Sequence, residues 1–192
     1  MHEQRILFTT ALLLLAILSG YAQTQDRVDA DRGKFSFRTN LLYWAVATPN
    51  LGLEWKPSAN IGFLINGAYS NWTWSNKENH HRTLLIQPEI RFYMGKNKNG
   101  FIGIEEHAGE FNFKFGDTGY QGDIFGGGLT GGYRLTLSKS VDMELSLGLG
   151  YTSLKYESYR RSNGITVRKD GELRKSVISP TQAGISLIWK IK

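Results

Sequence analysis

The chain of 192 residues contains no cysteine. That excludes a disulfide framework, a thiolate metal site, a cysteine nucleophile and a lipid anchor on a cysteine. Proline is nearly as scarce, at 4 residues, whereas glycine reaches 22. High glycine with little proline argues against a flexible linker and suits tight turns and crowded strands. After residue 22 no apolar run approaches ~18 residues, the length of a membrane helix. Amphipathic helices, with apolar residues at i, i+3, i+4 and i+7, are absent as well. A mature chain that enters a membrane must then do so as a closed barrel. Disorder is excluded by what is present, since 41% of the residues are hydrophobic.

Residues 1–22, MHEQRILFTTALLLLAILSGYA, read as a targeting segment. Arg5 and the free amino group precede an apolar stretch from Ile6 to Leu18, and Gly20 and Ala22 supply small residues for a cleavage site. This is the pattern of a secretory signal peptide cut before Gln23. The apolar stretch is short for a membrane span, which needs ~20 residues. The expected organisation is a signal peptide at 1–22, a short N-terminal segment at 23–33 and a barrel domain at 34–192.

From Lys34 onward the chain alternates with period two. Eight strand-like segments are expected, at 34–45, 50–56, 60–73, 82–94, 101–115, 122–137, 141–156 and 176–191. In the seventh, Val141, Met143, Leu145, Leu147, Leu149 and Tyr151 share one face, and Asp142, Glu144, Ser146, Gly148, Gly150 and Thr152 the other. Residues two apart in a strand lie on the same face. The fifth segment is less regular: Ile102 and Ile104 share a face with Glu106 and Glu110, while Phe111, Phe113 and Phe115 fall opposite. A bulge near Gly109 would repair that pattern.

Three features favour a membrane barrel over a soluble one. The connections after even-numbered strands are short and those after most odd-numbered ones are longer, the asymmetry of outer-membrane barrels. The connections expected outside are 46–49, 74–81, 116–121 and 157–175. Trp44, Trp55, Trp72, Trp74 and Trp189 lie near predicted strand ends, as do Tyr43, Tyr69, Tyr93, Tyr151, Tyr156 and Tyr159. Aromatic girdles occupy such positions at the two membrane interfaces. Finally, alternation turns ten charges inward: Arg38, Lys56, Arg91, Arg134 and Lys190 against Glu54, Glu89, Glu105, Asp142 and Glu144. Such a set would ruin a soluble apolar core but fills the lumen of a small membrane barrel. Eight strands leave room for side chains and little else. Gly62, Gly126, Gly128, Gly132, Gly148 and Gly150 are expected to make room for the long ones.

The block Arg38-Thr39-Asn40-Leu41-Leu42-Tyr43, followed by Thr48-Pro49-Asn50-Leu51-Gly52-Leu53-Glu54, resembles the opening of an uncharacterised family of secreted proteins from the Bacteroides group. That resemblance covers about residues 34–192. It implies an outer-membrane β-barrel with no reaction, cofactor or catalytic residue. Members occur beside fimbrial or surface-assembly components, which implies a surface role.

Motifs with chemical meaning are few. Gly126–Gly131 fits GxGxxG but lies in an alternating strand with no helix to follow, so a nucleotide site is not expected. His80, His81 and Glu78 hint at a metal site, yet adjacent histidines on a strand point to opposite faces. No cofactor and no metal are expected. Lipid A-modifying barrels need histidine, serine and carboxylate together. His81 with Thr83, or His107 with Glu105, lacks a convincing serine, and no enzyme activity is expected. The segment 155–175 carries Lys155, Arg160, Arg161, Arg168, Lys169, Arg174 and Lys175 against three acids, four of the six net positive charges of the chain. It reads as a solvated outer loop, with a hairpin turn at Asn163-Gly164 or Asp170-Gly171. Such a loop is suited to contact anionic lipopolysaccharide or an acidic surface partner.

The sequence thus predicts an eight-stranded, up-and-down antiparallel transmembrane β-barrel. It is expected in the Gram-negative outer membrane with both termini periplasmic. Its expected contacts are outer-membrane lipid, lipopolysaccharide and a surface or fimbrial partner, with no nucleic acid. Two alternatives differ by site. A soluble periplasmic lipocalin-like barrel would need a dry apolar lumen for a small ligand. A lipid-modifying enzyme would need a catalytic constellation near the outer rim.

Overall fold

The computed structural model describes residues 34–74, 79–116, 118–162 and 165–191. For Trp74, Phe115 and 161–170 it describes the backbone alone. The expected signal peptide and the 23–33 segment lie outside the described residues.

Eight antiparallel strands close into a ring in chain order. They are β1 (Phe35–Asn40), β2 (Asn50–Trp55), β3 (Ile61–Trp74), β4 (Asn79–Met94), β5 (Gly100–Phe115), β6 (Thr118–Thr136), β7 (Val141–Ser162) and β8 (Ile165–Ile191). Closure joins the two ends of the chain, with Phe35 opposite Ile191 and Asn40 opposite Ser186. A path of opposed residues starts at Phe35 and crosses Trp55, Phe63, Ile90, Ile104, Leu129 and Leu149 before it meets β8 at Pro180. Pro180 lies eleven residues from Ile191, the other partner of Phe35. This stagger tilts the strands, as closure of a small barrel requires.

The two ends of the ring differ. One end holds the start of β1, the end of β8 and the short turns 56–60, 95–99 and 137–140; we term it the turn end. Gly95 there adopts φ +84°, a left-handed conformation that favours glycine. At the other end β7 pairs with β8 as far as Ser162 and Ile165, and we term it the hairpin end.

Four expectations fail on the backbone. The first segment does not run to residue 45: Leu41–Ala45 forms a one-turn helix, α1, whose first turn is capped by Asn40 Oδ1 accepting from Leu42 N at 3.0 Å. Five residues are too few to show a helical period. The strand pairing of β5 is continuous through Gly109, without a bulge. Phe111 and Phe113 instead join Glu105 and His107 on the inward face. All three long outer connections contract, because β4 begins at Asn79, β6 begins at Thr118, and β7 and β8 extend to Ser162 and Ile165. The described part of the basic segment 155–175 is therefore strand rather than loop. Toward the hairpin end the outward face turns polar, with Glu110, Asp123 and Lys155, while Phe111 and Phe113 lie inward, so the apolar-out pattern of the rest of the barrel does not continue there.

The ring is also uneven in height. β1 and β2 have six residues each, against 14 to 27 for the rest. Strand pairing to β2 ends at Ala68 on β3, and pairing to β1 ends at Ser186 on β8. Helix α1 and the turn 46–49 occupy the step between them. Asn40 Nδ2 donates to Ala183 O at 2.9 Å, Tyr69 N donates to Pro49 O at 3.0 Å, and Trp72 Nε1 donates to Ala47 O.

Candidate functional site

The polarity of the barrel is inverted relative to a soluble protein. Its outward face carries Leu129, Leu145, Leu147, Leu149, Ile102, Ile104 and Ile178, all exposed, with Leu147 at 70%. The path of opposed residues from Phe35 to Pro180 is apolar at every step. Glu106, on β5 between Ile104 and Ala108, is an acid set into this face. Toward the hairpin end Arg82, Glu110, Asp123, Lys155 and Arg174 succeed the apolar residues on the same face.

Aromatic side chains border the belt. Phe35, Trp55 and Trp189 are exposed near the turn end, and Phe35, Trp55 and Phe63 stack in series. Tyr69, Phe125 and Tyr151 lie outward near the other border. Trp44 is exposed on α1. The remaining expected girdle residues are placed otherwise. Tyr43 turns inward and its hydroxyl donates to Gln87 Oε1 at 3.4 Å. Trp72 falls on the inward-facing register of β3, where it ties down the 46–49 turn. Tyr93 is buried in the lumen. Proximity to a strand end does not fix the face, whereas parity does. The Trp74 side chain is outside the described residues.

The ten charges named from alternation all point into the barrel. Glu54, Arg91 and Glu144 are fully buried, and Arg38, Glu89, Glu105, Arg134 and Asp142 nearly so. Glu144 on β7 is the hub. It accepts from Arg38 at 2.7 Å, from Arg91 at 2.9 and 3.0 Å, and from Arg134 at 2.8 and 3.3 Å. Arg91 also donates to Glu89 at 2.8 Å, and Arg134 to Glu54 at 2.9 Å. Three guanidiniums thus interlock with three carboxylates across β1, β2, β4, β6 and β7. Buried charges require such pairing, because an isolated one would lose its hydration without return.

Neutral groups complete the network. Tyr93 donates to Glu54 and accepts from Arg134 at 2.9 Å, and Thr130 donates to Glu89. Arg91 lies 4.1 Å from the Phe101 ring centroid and Lys56 3.5 Å from that of Tyr93. Ile188, fully buried among them, breaks the polar pattern of the inward face of β8. Alternation groups Tyr93 with Glu89 and Arg91, and Thr130 with Arg134, on the polar faces of their strands, although Tyr93 is also expected among the girdle aromatics; Phe101 and Ile188 it does not single out. Some glycines are required by close approach. A Cβ on Gly62 would lie 2.9 Å from Tyr93 and 3.0 Å from Glu54, and one on Gly103 would lie 2.4 Å from Thr130 and 2.5 Å from Glu89.

Above the network the lumen changes character. Glu105 approaches His107 Nδ1 at 3.3 Å, and His107 Nε2 lies 3.0 Å from Thr152 Oγ1. This is a carboxylate–imidazole–hydroxyl chain with threonine in the place of serine. It sits mid-barrel with His107 buried, away from the rim. Above it, Phe111, Phe113 and His81 form an aromatic layer, with ring centroids 5.2 and 4.8 Å apart. His81 meets Thr83 at 3.2 Å and His80 meets Thr73 at 3.0 Å. Among the described residues no group of three or more histidines, aspartates and glutamates is placed to hold a metal ion. Glu78 is outside the described residues. Gly126–Gly131 lies within β6, paired on both sides. A charged, packed lumen also differs from the dry apolar cavity that a lipocalin-like carrier needs.

Of the basic set, Arg160, Arg174 and Lys175 are exposed. Glu172 bridges Lys155 at 3.0 Å and Arg174 at 3.1 Å. The side chains of Arg161, Arg168 and Lys169 are outside the described residues.

Residues 8–191 match a family model described as a protein of unknown function, DUF3575. No curated protein matches the chain in sequence. Among solved structures, the chain is similar to the translocator domain of the autotransporter NalP from Neisseria meningitidis, with 14% identity and a TM-score of 0.39. That match covers 91% of this chain and 66% of the other, so this chain spans just under two thirds of that domain's length. The likeness transfers no activity.

Proposed function

The chain belongs to the family of proteins of unknown function DUF3575, and from its geometry we propose that it is an integral outer-membrane barrel with a structural or surface-binding role. One observation carries the reading: apolar side chains cover the outside of a ring whose inside holds ten charges. In water that arrangement would expose a continuous apolar belt far larger than monomeric proteins tolerate. In a bilayer it removes the belt from water and leaves the charges to pair inside. The turn end faces the periplasm, with both chain ends, and the raised strands of the hairpin end face outward. There they would meet lipopolysaccharide or a surface partner. The interlocked lumen makes the barrel a plug rather than a pore.

The test is fractionation followed by a detergent gel with and without boiling. The expected result is recovery in the outer-membrane fraction and a boiling-dependent shift in migration. Recovery as a soluble periplasmic protein without a shift would overturn the reading. In planar bilayers the folded protein should give no steady conductance, because the network fills the cross-section.

A further inference from the structure

The turn end concentrates positive charge that the sequence scatters. Lys34, Lys56, Lys96, Lys98, Lys139 and Lys190 come from five separate stretches of chain and meet at this end. Inside it lies a cavity of about 260 Å³ whose charged lining is Lys56, Lys98, Arg134, Lys139, Asp142 and Lys190. Five of these are cationic and one is anionic. The acid, Asp142, is already engaged by Lys190 at 2.8 Å. The ion pairs among the described residues include neither Lys98 nor Lys139.

The lining is built rather than loose. Arg134 forms part of the floor, with its side chain nine-tenths buried and held by Glu54 and Glu144. Lys98 stands in a left-handed backbone conformation, φ +51°, in the turn 95–99. Its amide donates to Gly95 O at 3.1 Å. Ser138 Oγ caps its own turn by accepting from Val141 N at 3.0 Å. Arg134 and Lys190 are already paired within the barrel, so the charge that a ligand would meet is carried chiefly by Lys98 and Lys139. Clustered ammonium groups beside a guanidinium and hydroxyl and amide donors suit an oxyanion with several acceptor oxygens.

We propose that the turn-end mouth of the barrel is a binding site for a phosphate-class oxyanion. The site does not depend on the membrane reading, since its residues and cavity are the same in either setting. Phosphoryl groups reach such a mouth from two sources, soluble phosphates or phospholipid headgroups at the membrane surface.

The experiment titrates inorganic pyrophosphate into the full folded protein in neutral detergent, with binding followed by calorimetry. Saturable one-site binding is expected, weakened at least about tenfold in the K98E/K139E variant. R174E/K175E makes the same change of net charge on the exposed hairpin-end strand and should bind as the unsubstituted protein does. Both variants are first checked for the boiling-dependent gel shift. If K98E/K139E does not fold, K98Q/K139Q replaces it with the same expectation of weakening. Absence of saturable binding overturns the proposal, and so does equal weakening by both variants, which would mark a nonspecific charge effect. A second arm distinguishes the sources. With the protein in phosphatidylcholine nanodiscs, adding phosphatidylglycerol displaces pyrophosphate if headgroups occupy the mouth, and leaves it bound if soluble phosphate does. Either result supports the oxyanion site.

Discussion

Arg91 and Glu144 lie 2.9 Å apart with neither side chain exposed, whereas Arg174 and Glu172 lie 3.1 Å apart with 73% and 44% of their side chains exposed. The atoms and distances are nearly alike, yet the surroundings differ. In the lumen each charge has traded its water for fixed partners, so losing one partner strands the others. On the hairpin-end wall water replaces a lost partner at once, and long side chains lose entropy when they pair. Similar geometry therefore supports two roles, a scaffold inside and solubility outside.

The sharpest way to break this contrast is Glu144→Gln. It leaves Arg38, Arg91 and Arg134 without the carboxylate they share. A loss of about 3–5 kcal/mol is expected, read from urea unfolding of the refolded barrel in lipid vesicles. Next is the outer belt. Leu147→Arg should cost about 2–4 kcal/mol in the same vesicles if that position faces lipid near the bilayer centre. A negligible change would mean that the belt does not face lipid. Gly103→Val probes packing among the charges, since any Cβ there meets Thr130 and Glu89. A loss of about 1–3 kcal/mol is expected from unfolding curves.

The smallest effect is on the exposed pair. Hydrogen bonds from Lys155 and then Arg174 hold the Glu172 carboxyl below its ordinary value of 4.5. A depressed folded-state value adds stability above the unfolded value, and this fades as pH falls through the folded one. Because Glu172 is exposed, Glu172→Gln should leave the unfolding midpoint unchanged at pH 7 and at pH 4. A clear shift would show that the hairpin-end wall is less wet than its exposure indicates.

How much of this was legible in the sequence follows from what alternation can encode. Strand β7 states its faces outright, with aliphatic residues at odd positions through Leu149 and acids at Asp142 and Glu144. The lumen charges could be named from parity because each belongs to such a strand. Phe101, Phe111 and Phe113 were harder, because inward aromatics look the same in sequence as outward ones. The strand segments toward the hairpin end were harder to read, since there the outward face is polar and the aromatic Phe111 and Phe113 turn inward, the reverse of the pattern elsewhere. Helix α1 was too short to announce itself. The lysines of the turn end are separated by tens of residues, while those of 155–175 are contiguous. The contiguous set is plain in the sequence, whereas Lys56, Lys98, Lys139 and Lys190 are brought together around one cavity only by the fold.

The seam between β1 and β8 has a consequence for how the molecule forms. Phe35 and Ile191 are opposed across almost the whole described chain, so the ring cannot close until the last strand has been made. Contacts between such distant residues form slowly, because a long loop must be ordered before they are gained. Arg38, near the start, reaches Glu144 and Ser186 near the end through a single nitrogen. Before closure it is a stray cation on an open sheet, and afterwards it is locked. Assembly should therefore be all or none, with shortened chains lacking β8 unable to settle into any stable partial barrel.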